Sequence, residues 1–136
     1  MLPAETKAAL LDAPYWEALS AGRLVIQCCA TCGTWHWPAL SRCGECGAWD
    51  PPWRETPMEG VLYSWIRTWY GFAGAEGLET PFVTVLVALP AAGGRRLMGL
   101  FDGDDGGLVL CAPMNGALGW TNMDGRKVAC IHWHHA

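Results

Sequence analysis

The chemistry-bearing residues of this chain are two copies of one short motif, Cys29-Ala30-Thr31-Cys32-Gly33 and Cys43-Gly44-Glu45-Cys46-Gly47. Ten residues, 33 to 42, separate the two Cys-x-x-Cys units. Each unit puts two thiolates on one side of a tight bend, and the glycine after it permits a left-handed backbone. Two such units at this spacing form a zinc signature. Four thiolates suit a closed, structural, tetrahedral zinc with no open position for substrate. The competing reading is two disulfides or buried free thiols, although a redox pair would normally show one Cys-x-x-Cys rather than two.

The other candidate groups are less specific. Cys28 adjoins a ligand but should point to the opposite side of a strand. His36 lies between the knuckles and could replace a cysteine, though four sulfurs already complete a site. Cys111 and Cys130 sit in apolar runs and read as core thiols. His132, His134 and His135 read as a solvated tail that could touch a partner. Arg95-Arg96 could meet a phosphate, but neighbouring strand residues point to opposite faces. Asp102 to Gly107 lacks the glutamate of a calcium loop and reads as a polar turn. No nucleophile has a sequence-supported base, and no phosphate-cradling loop or paired acids stand out.

The elements that must position these groups follow from length and pattern. With 136 residues the chain is one domain or two very small ones. Half of it is hydrophobic and 16% is charged, which excludes a disordered chain. A net charge of −4 speaks against a nucleic-acid surface. Seven cysteines, an odd number, fit a reducing compartment. The N-terminus lacks the pattern of a secretory signal, and no apolar run reaches a membrane span. The expected location is cytoplasmic.

Residues 5 to 21 have a helical period through Ala8, Leu11, Tyr15 and Leu19, with Pro14 breaking it into two pieces. Leu24 to Gln27 is a strand entering the first knuckle, and Pro51-Pro52 stiffens the exit from the second. Strands are expected at 61–66, 82–89, 96–101, 108–111 and 127–133, with Asp124-Gly125 as a hairpin turn. Five short strands after a metal module suggest a small closed barrel. Periodicity alone leaves OB-type and SH3-like barrels open.

Nine tryptophans, at 16, 35, 37, 49, 53, 65, 69, 120 and 133, are many for this size. Some should lie at a partner surface. The loop from Trp69 to Thr80 mixes three aromatics with glycines and is a candidate contact segment. Trp69, Tyr70, Phe72, Trp65 and Trp37 are the candidate contacts for a partner or an acyl-CoA.

Several segments together resemble a known family. They are Tyr15-Trp16-Glu17-Ala18-Leu19, Gly22-Arg23-Leu24-Val25-Ile26-Gln27, the two knuckles around Trp37-Pro38, Glu59-Gly60-Val61-Leu62-Tyr63-Ser64, and Pro81 through Leu89. This order is similar to that of the acyl-CoA-associated OB-fold proteins, over about residues 14 to 102. After Asp102 the likeness weakens, and Cys28 and Cys111-Ala112-Pro113-Met114 depart from the pattern. The resemblance implies a mainly β chain: an N-terminal helical segment (1–22), a rubredoxin-like zinc ribbon (23–54) and a five-stranded OB-fold barrel (55–136). It implies Cys29, Cys32, Cys43 and Cys46 as ligands of a structural Zn2+.

It also implies a non-catalytic auxiliary subunit that docks on a thiolase-superfamily enzyme, a lipid-transfer-type thiolase or steroid side-chain aldolase in lipid or steroid degradation. That partner would hold most of the acyl-CoA. A MaoC-like enoyl-CoA hydratase is the alternative partner. A stand-alone acyl-CoA-binding module or small enzyme is a further alternative.

Overall fold

The computed structural model describes residues 10–73, 75, 77–123 and 125–136. It is mostly β, with one short helix, a three-stranded sheet and a closed five-stranded barrel. The chain separates into two compact units. One comprises Met1–Pro57 with Ala91–Arg95, the other Met58–Pro90 with Arg96–Ala136.

In the first unit, helix α1 spans Ala13–Ser20. Pro14 lies in its first turn instead of interrupting it. A proline there loses no intrahelical hydrogen bond, and its fixed φ suits the helix start. Residues 10–12 are not helical, and the expected helical positions 5–9 lie outside the described residues. Tyr15, Ala18 and Leu19 form the buried face of α1. Strands β1 (Val25–Cys28), β2 (Trp35–His36) and β3 (Trp53–Glu55) form a sheet in the order β2-β1-β3. All four β1 residues are buried. Gln27 is the polar member, and its side-chain amide binds Leu40 O at 2.9 Å and accepts from Leu40 N at 2.8 Å. The buried amide therefore keeps its hydrogen bonds and ties the inter-knuckle loop to the sheet.

The barrel strands β4 (Glu59–Thr68), β5 (Phe82–Leu89), β6 (Arg95–Phe101), β7 (Pro113–Met123) and β8 (Arg126–His135), which belong to the second unit apart from Arg95, close in the order β4-β5-β6-β8-β7. The β4–β5, β4–β7 and β7–β8 pairs are antiparallel, and β6 and β8 run parallel at Leu100↔His132 and Phe101↔Trp133. This is the closed Greek-key arrangement of an OB-type barrel. A bulge in β4 leaves Tyr63 as an extra residue between Leu62 and Ser64.

Alternation builds the core. Val85, Val87 and Leu89 of β5 and Ala129, Ile131 and Trp133 of β8 are buried, with half-buried residues between them. Thus 82–89 is an alternating strand, although its sequence is a nearly continuous apolar run.

The fourth barrel strand lies elsewhere than expected. Leu108 to Cys111 is a turn, not a strand, with Cys111 exposed at φ 68°. The strand is β7, from Pro113, a stretch containing Gly116 and Gly119. Glycine is a poor strand former, so its sequence signal is weak. Packing supplies the reason for it. Trp133 is fully buried, and a Cβ at Gly116 would lie 2.7 Å from Ile131 Cγ2 and 3.0 Å from Trp133 Cζ3. A Cβ at Gly99 would lie 2.6 Å from Trp133 Cδ1. The large ring fits because two facing strands carry no side chain there. Met123 pairs with Arg126 across the β7–β8 hairpin, and Gly125 has φ 73°. Asp124, the other expected turn residue, lies outside the described residues.

Candidate metal centre

The two knuckles have one geometry. Gly33 N donates to Cys29 O at 2.8 Å, and Gly47 N donates to Cys43 O at 2.9 Å. Cys29 N donates to Thr34 O at 2.9 Å, and Cys43 N donates to Ala48 O at 2.8 Å. Gly33 and Gly47 have φ of 76° and 80°, a region that a side chain makes costly. The first knuckle is the turn between β1 and β2. The second is closed by a bridge between Arg42 and Trp49, with Arg42 Nε donating to Gly47 O at 2.8 Å.

The folded knuckles bring Cys29, Cys32, Cys43 and Cys46 together, all four sulfurs within 4.8 Å of one another. Cys29 Sγ to Cys46 Sγ is 3.5 Å and Cys32 Sγ to Cys43 Sγ is 3.6 Å. A tetrahedral metal with bonds of ~2.3 Å has sulfur–sulfur edges of ~3.8 Å, so the donor set fits such an ion. A disulfide needs sulfurs at ~2.05 Å, and all seven cysteines are free of one. Cys29 and Cys43 are buried, and Cys32 and Cys46 are exposed.

Local donors split the thiols electrostatically. The Cys32 and Thr31 amides, with help from neighbouring thiols and against burial, bring Cys29 from 9.0 down to about 6. The Thr34 hydroxyl, at 3.2 Å, and the Thr34 amide lower Cys32. The Ala48 amide favours the Cys46 thiolate, but its sulfur neighbours and burial together push that thiol up to about 12. Four thiols this close cannot all ionise alone, because like charges oppose one another. A dication is the group that lets them do so.

Cys28 stands outside the cluster. Its thiol points at Gly33 O at 3.5 Å and accepts from Arg54 Nη1 at 3.7 Å, and Arg54 stacks 5.4 Å over Trp35. His36 is also outside the four-sulfur set, with Nε2 3.1 Å from Cys43 Sγ.

The candidate aromatic contacts fall in both units. Trp37 packs on Tyr15 at 4.3 Å, within the first unit. Trp65, Trp69, Tyr70 and Phe72 are exposed on the barrel unit, Tyr70 at 85% and Trp69 at 60%. Trp69 lines a cleft of about 460 Å3 with Phe82, Leu100 and Phe101, beside Arg67, Asp105 and Glu79. Arg67 pairs with Asp105 and also lies 5.5 Å from the Trp69 ring. Phe72 is 6.1 Å from Phe82, at the same end of the barrel.

Other candidates have structural partners. Arg95 Nε donates to Trp35 O at 2.7 Å, and Arg96 lies 4.2 Å over Tyr63. His132 Nδ1 is 2.9 Å from Asp102 Oδ2, and His135 packs edge-on against Phe101. Cys130 is only half-buried, and burial with the Asp102 charge raises its thiol. Among the described residues no helix is long and apolar enough to cross a membrane.

Comparison with known proteins agrees with this architecture. A family model described as the ChsH2 rubredoxin-like zinc ribbon domain matches residues 16–50. A probable enoyl-CoA hydratase alpha subunit of Thermomonospora curvata is 38% identical over 88 residues. That match takes in 64% of this chain and 26% of the relative, so the chain spans about a quarter of that protein. A solved structure described as an Ltp2-ChsH2(DUF35) aldolase superposes with a TM-score of 0.75 and 29% identity, covering 91% of this chain and 93% of that one. A DUF35 protein of unknown function from Sulfolobus solfataricus shares the fold, with a TM-score of 0.56, 16% identity and coverage of 90% and 83%. Residues 16–50 thus match the ChsH2 zinc-ribbon family, and over nine-tenths of its length the chain is similar in fold to a ChsH2(DUF35) protein.

Proposed function

We propose that this chain is a non-catalytic auxiliary subunit that docks on an acyl-CoA-processing enzyme of the thiolase superfamily and supports its fold or substrate channel. The observation that carries the reading is the likeness over nine-tenths of both chains to a protein described as part of an aldolase with Ltp2. The chain's own chemistry agrees. Among the described residues the cluster of metal-ligating groups is a closed four-sulfur set, which has no place for substrate. The cleft beside Trp69 contains one cation, Arg67, already paired with Asp105, and a second acid, Glu79. Such walls suit a neutral apolar group better than the phosphates of CoA, so the partner holds most of the acyl-CoA.

The metal is a structural Zn2+ held by Cys29, Cys32, Cys43 and Cys46. Trp65, Trp69, Tyr70 and Phe72 are the contacts for the partner or the acyl chain, while Trp37 packs within its own unit. A reduced cytoplasm, where seven free thiols survive, is the location that fits. The second reading, a MaoC-like enoyl-CoA hydratase partner, is favoured by the hydratase-subunit relative.

The test is co-purification of the tagged chain from its native host, with retained proteins identified by mass spectrometry. A thiolase-like subunit at fixed ratio supports the first reading, and a hydratase-like subunit the second. A chain recovered alone that turns over an acyl-CoA would overturn both.

A further inference from the structure

His36 is the residue of the ribbon that the four-sulfur set does not account for. It sits in β2, opposite Gln27 of β1, and is 6% exposed. Its Nε2 lies 3.1 Å from the sulfur of Cys43, itself buried. A buried imidazole aimed at a thiolate has one favourable arrangement. With a metal bound, the Cys43 thiolate has no proton to give, so the ring nitrogen must be the donor. The neutral Nε2–H tautomer supplies that hydrogen bond without adding charge.

The other three sulfurs have different sources of stabilisation. Cys29 has the Cys32 and Thr31 amides, Cys32 has Thr34, and Cys46 has the Ala48 amide. A buried sulfur also lacks the water that would solvate an exposed one, and a hydrogen bond there acts in a low dielectric. Four thiolates around a dication carry a net negative charge, and each N–H donor withdraws part of it.

We infer that His36 is a positioning residue of the metal centre. As the Nε2–H tautomer it donates to Cys43 Sγ, fixes that ligand's side chain and tunes its donor strength, and it does not coordinate the metal. The inference rests on the four-cysteine cluster being a metal site. It also explains why His36 need not replace a cysteine. Donor and ligand come from different segments, β2 and the second knuckle, so the bond also pins the second knuckle to the sheet. Groups outside the ligand shell of this kind typically change metal affinity by about 10–100-fold when removed.

The experiment uses the whole chain loaded with Co2+, whose sulfur-to-metal charge-transfer bands report number and character of thiolate ligands. The wild type should give a four-sulfur spectrum. His36→Phe, which keeps the ring volume and loses the donor, should keep four sulfurs, move the charge-transfer bands and bind Co2+ about 10–100-fold more weakly. His36→Gln, which retains an N–H donor, should recover much of the loss. Should His36→Phe fail to fold, nitrogen NMR of the wild-type Zn2+ form decides: the proton should be on Nε2.

Identical bands and affinity in His36→Phe, a proton on Nδ1, or a wild-type spectrum of three sulfurs and one nitrogen would each overturn the role assigned to His36. A wild type that takes up no Co2+ or Zn2+ would overturn the metal centre itself, and the role of His36 with it.

Discussion

The cysteines and the glycines that follow them show how far single residues determine the metal centre. Cys29, Cys32, Cys43 and Cys46 reach one another because Gly33 and Gly47 take positive φ and close each turn with their amides on Cys29 O and Cys43 O. Replacing one sulfur leaves three thiolates and a vacant position. Cys43→Ser should therefore lower the metal content measured by atomic absorption to well below one per chain and loosen the ribbon. A ribbon this small draws much of its folding energy from metal, about 10–16 kcal/mol for structural zinc in isolated fingers near neutral pH. The variant retaining full zinc and wild-type ribbon amide protection would refute this.

The same set predicts the effect of acid. Without metal, Cys29 ionises near 6, well below its ordinary 9.0, and Cys46 only near 12. A lowered thiol stabilises the fold fully above the unfolded value of 9.0 and loses that contribution as pH falls through about 6. Cys46 has the opposite sign: its contribution is present below 9.0 and lost as pH rises through about 12. Metal uptake ionises every ligand, so below about 12 it displaces protons, more of them the lower the pH, and zinc affinity should fall with increasing steepness on acidification from about 12 through about 6. Competition with a chromophoric chelator at several pH values measures it, and a flat profile would contradict it. The four-cysteine cluster was legible in the sequence because the spacing of the two Cys-x-x-Cys units brings the sulfurs together. The bond from His36 to Cys43 was not, since it depends on how β2 is registered against β1.

At the level of elements, the legible barrel strands were short apolar runs bounded by turn residues, and the missed barrel strand was β7. The run Leu108 to Cys111 has a strand's composition, yet the chain turns there through the positive φ of Cys111. Strand β7 instead spends two of its positions on glycine so that Trp133 and His132 have room beside it. Periodicity reads the residues a strand shows, not the space a neighbouring strand requires. This makes Gly116 a sharp test. Gly116→Val adds the β-branched bulk that strand propensity favours, and it forces atoms into Ile131 and Trp133. Overpacking of this type costs about 1–3 kcal/mol. Thermal melts followed by tryptophan fluorescence should show the barrel transition falling by roughly 4–8 °C per kcal/mol. An unchanged or raised midpoint would mean that propensity outweighs packing at this position. Trp133→Ala approaches the same interior from the other side and should cost about 3–5 kcal/mol by leaving a cavity.

For the molecule as a whole, the proposed docking role and folding should draw on different residues. The exposed aromatics of the barrel unit, Trp69, Tyr70 and Phe72, contribute little to its core. The core comprises Leu62, Val85, Val87, Leu97, Ile131 and Trp133, all buried. Truncating large exposed rings should therefore leave the chain folded and weaken only what the rings touch. Aromatic anchors at an interface commonly cost 2 kcal/mol or more when removed, about 30-fold in affinity. We expect the paired substitution Trp69→Ala and Tyr70→Ala to shift the barrel's melting temperature by at most about 2–4 °C per substitution, since surface changes usually stay within ±0.5 kcal/mol each. The same variant should lower retention of the acyl-CoA enzyme partner at least tenfold in co-purification. Cys43→Ser should also lose the partner, but with a loosened ribbon and a barrel that still melts cooperatively. These two losses have different causes, surface in one and support in the other. If the aromatic variant retains its partner at wild-type ratio, the Trp69 end of the barrel is not the docking surface. If the zinc-free variant retains it too, the ribbon serves only its own fold, and the partner must read the barrel through other residues.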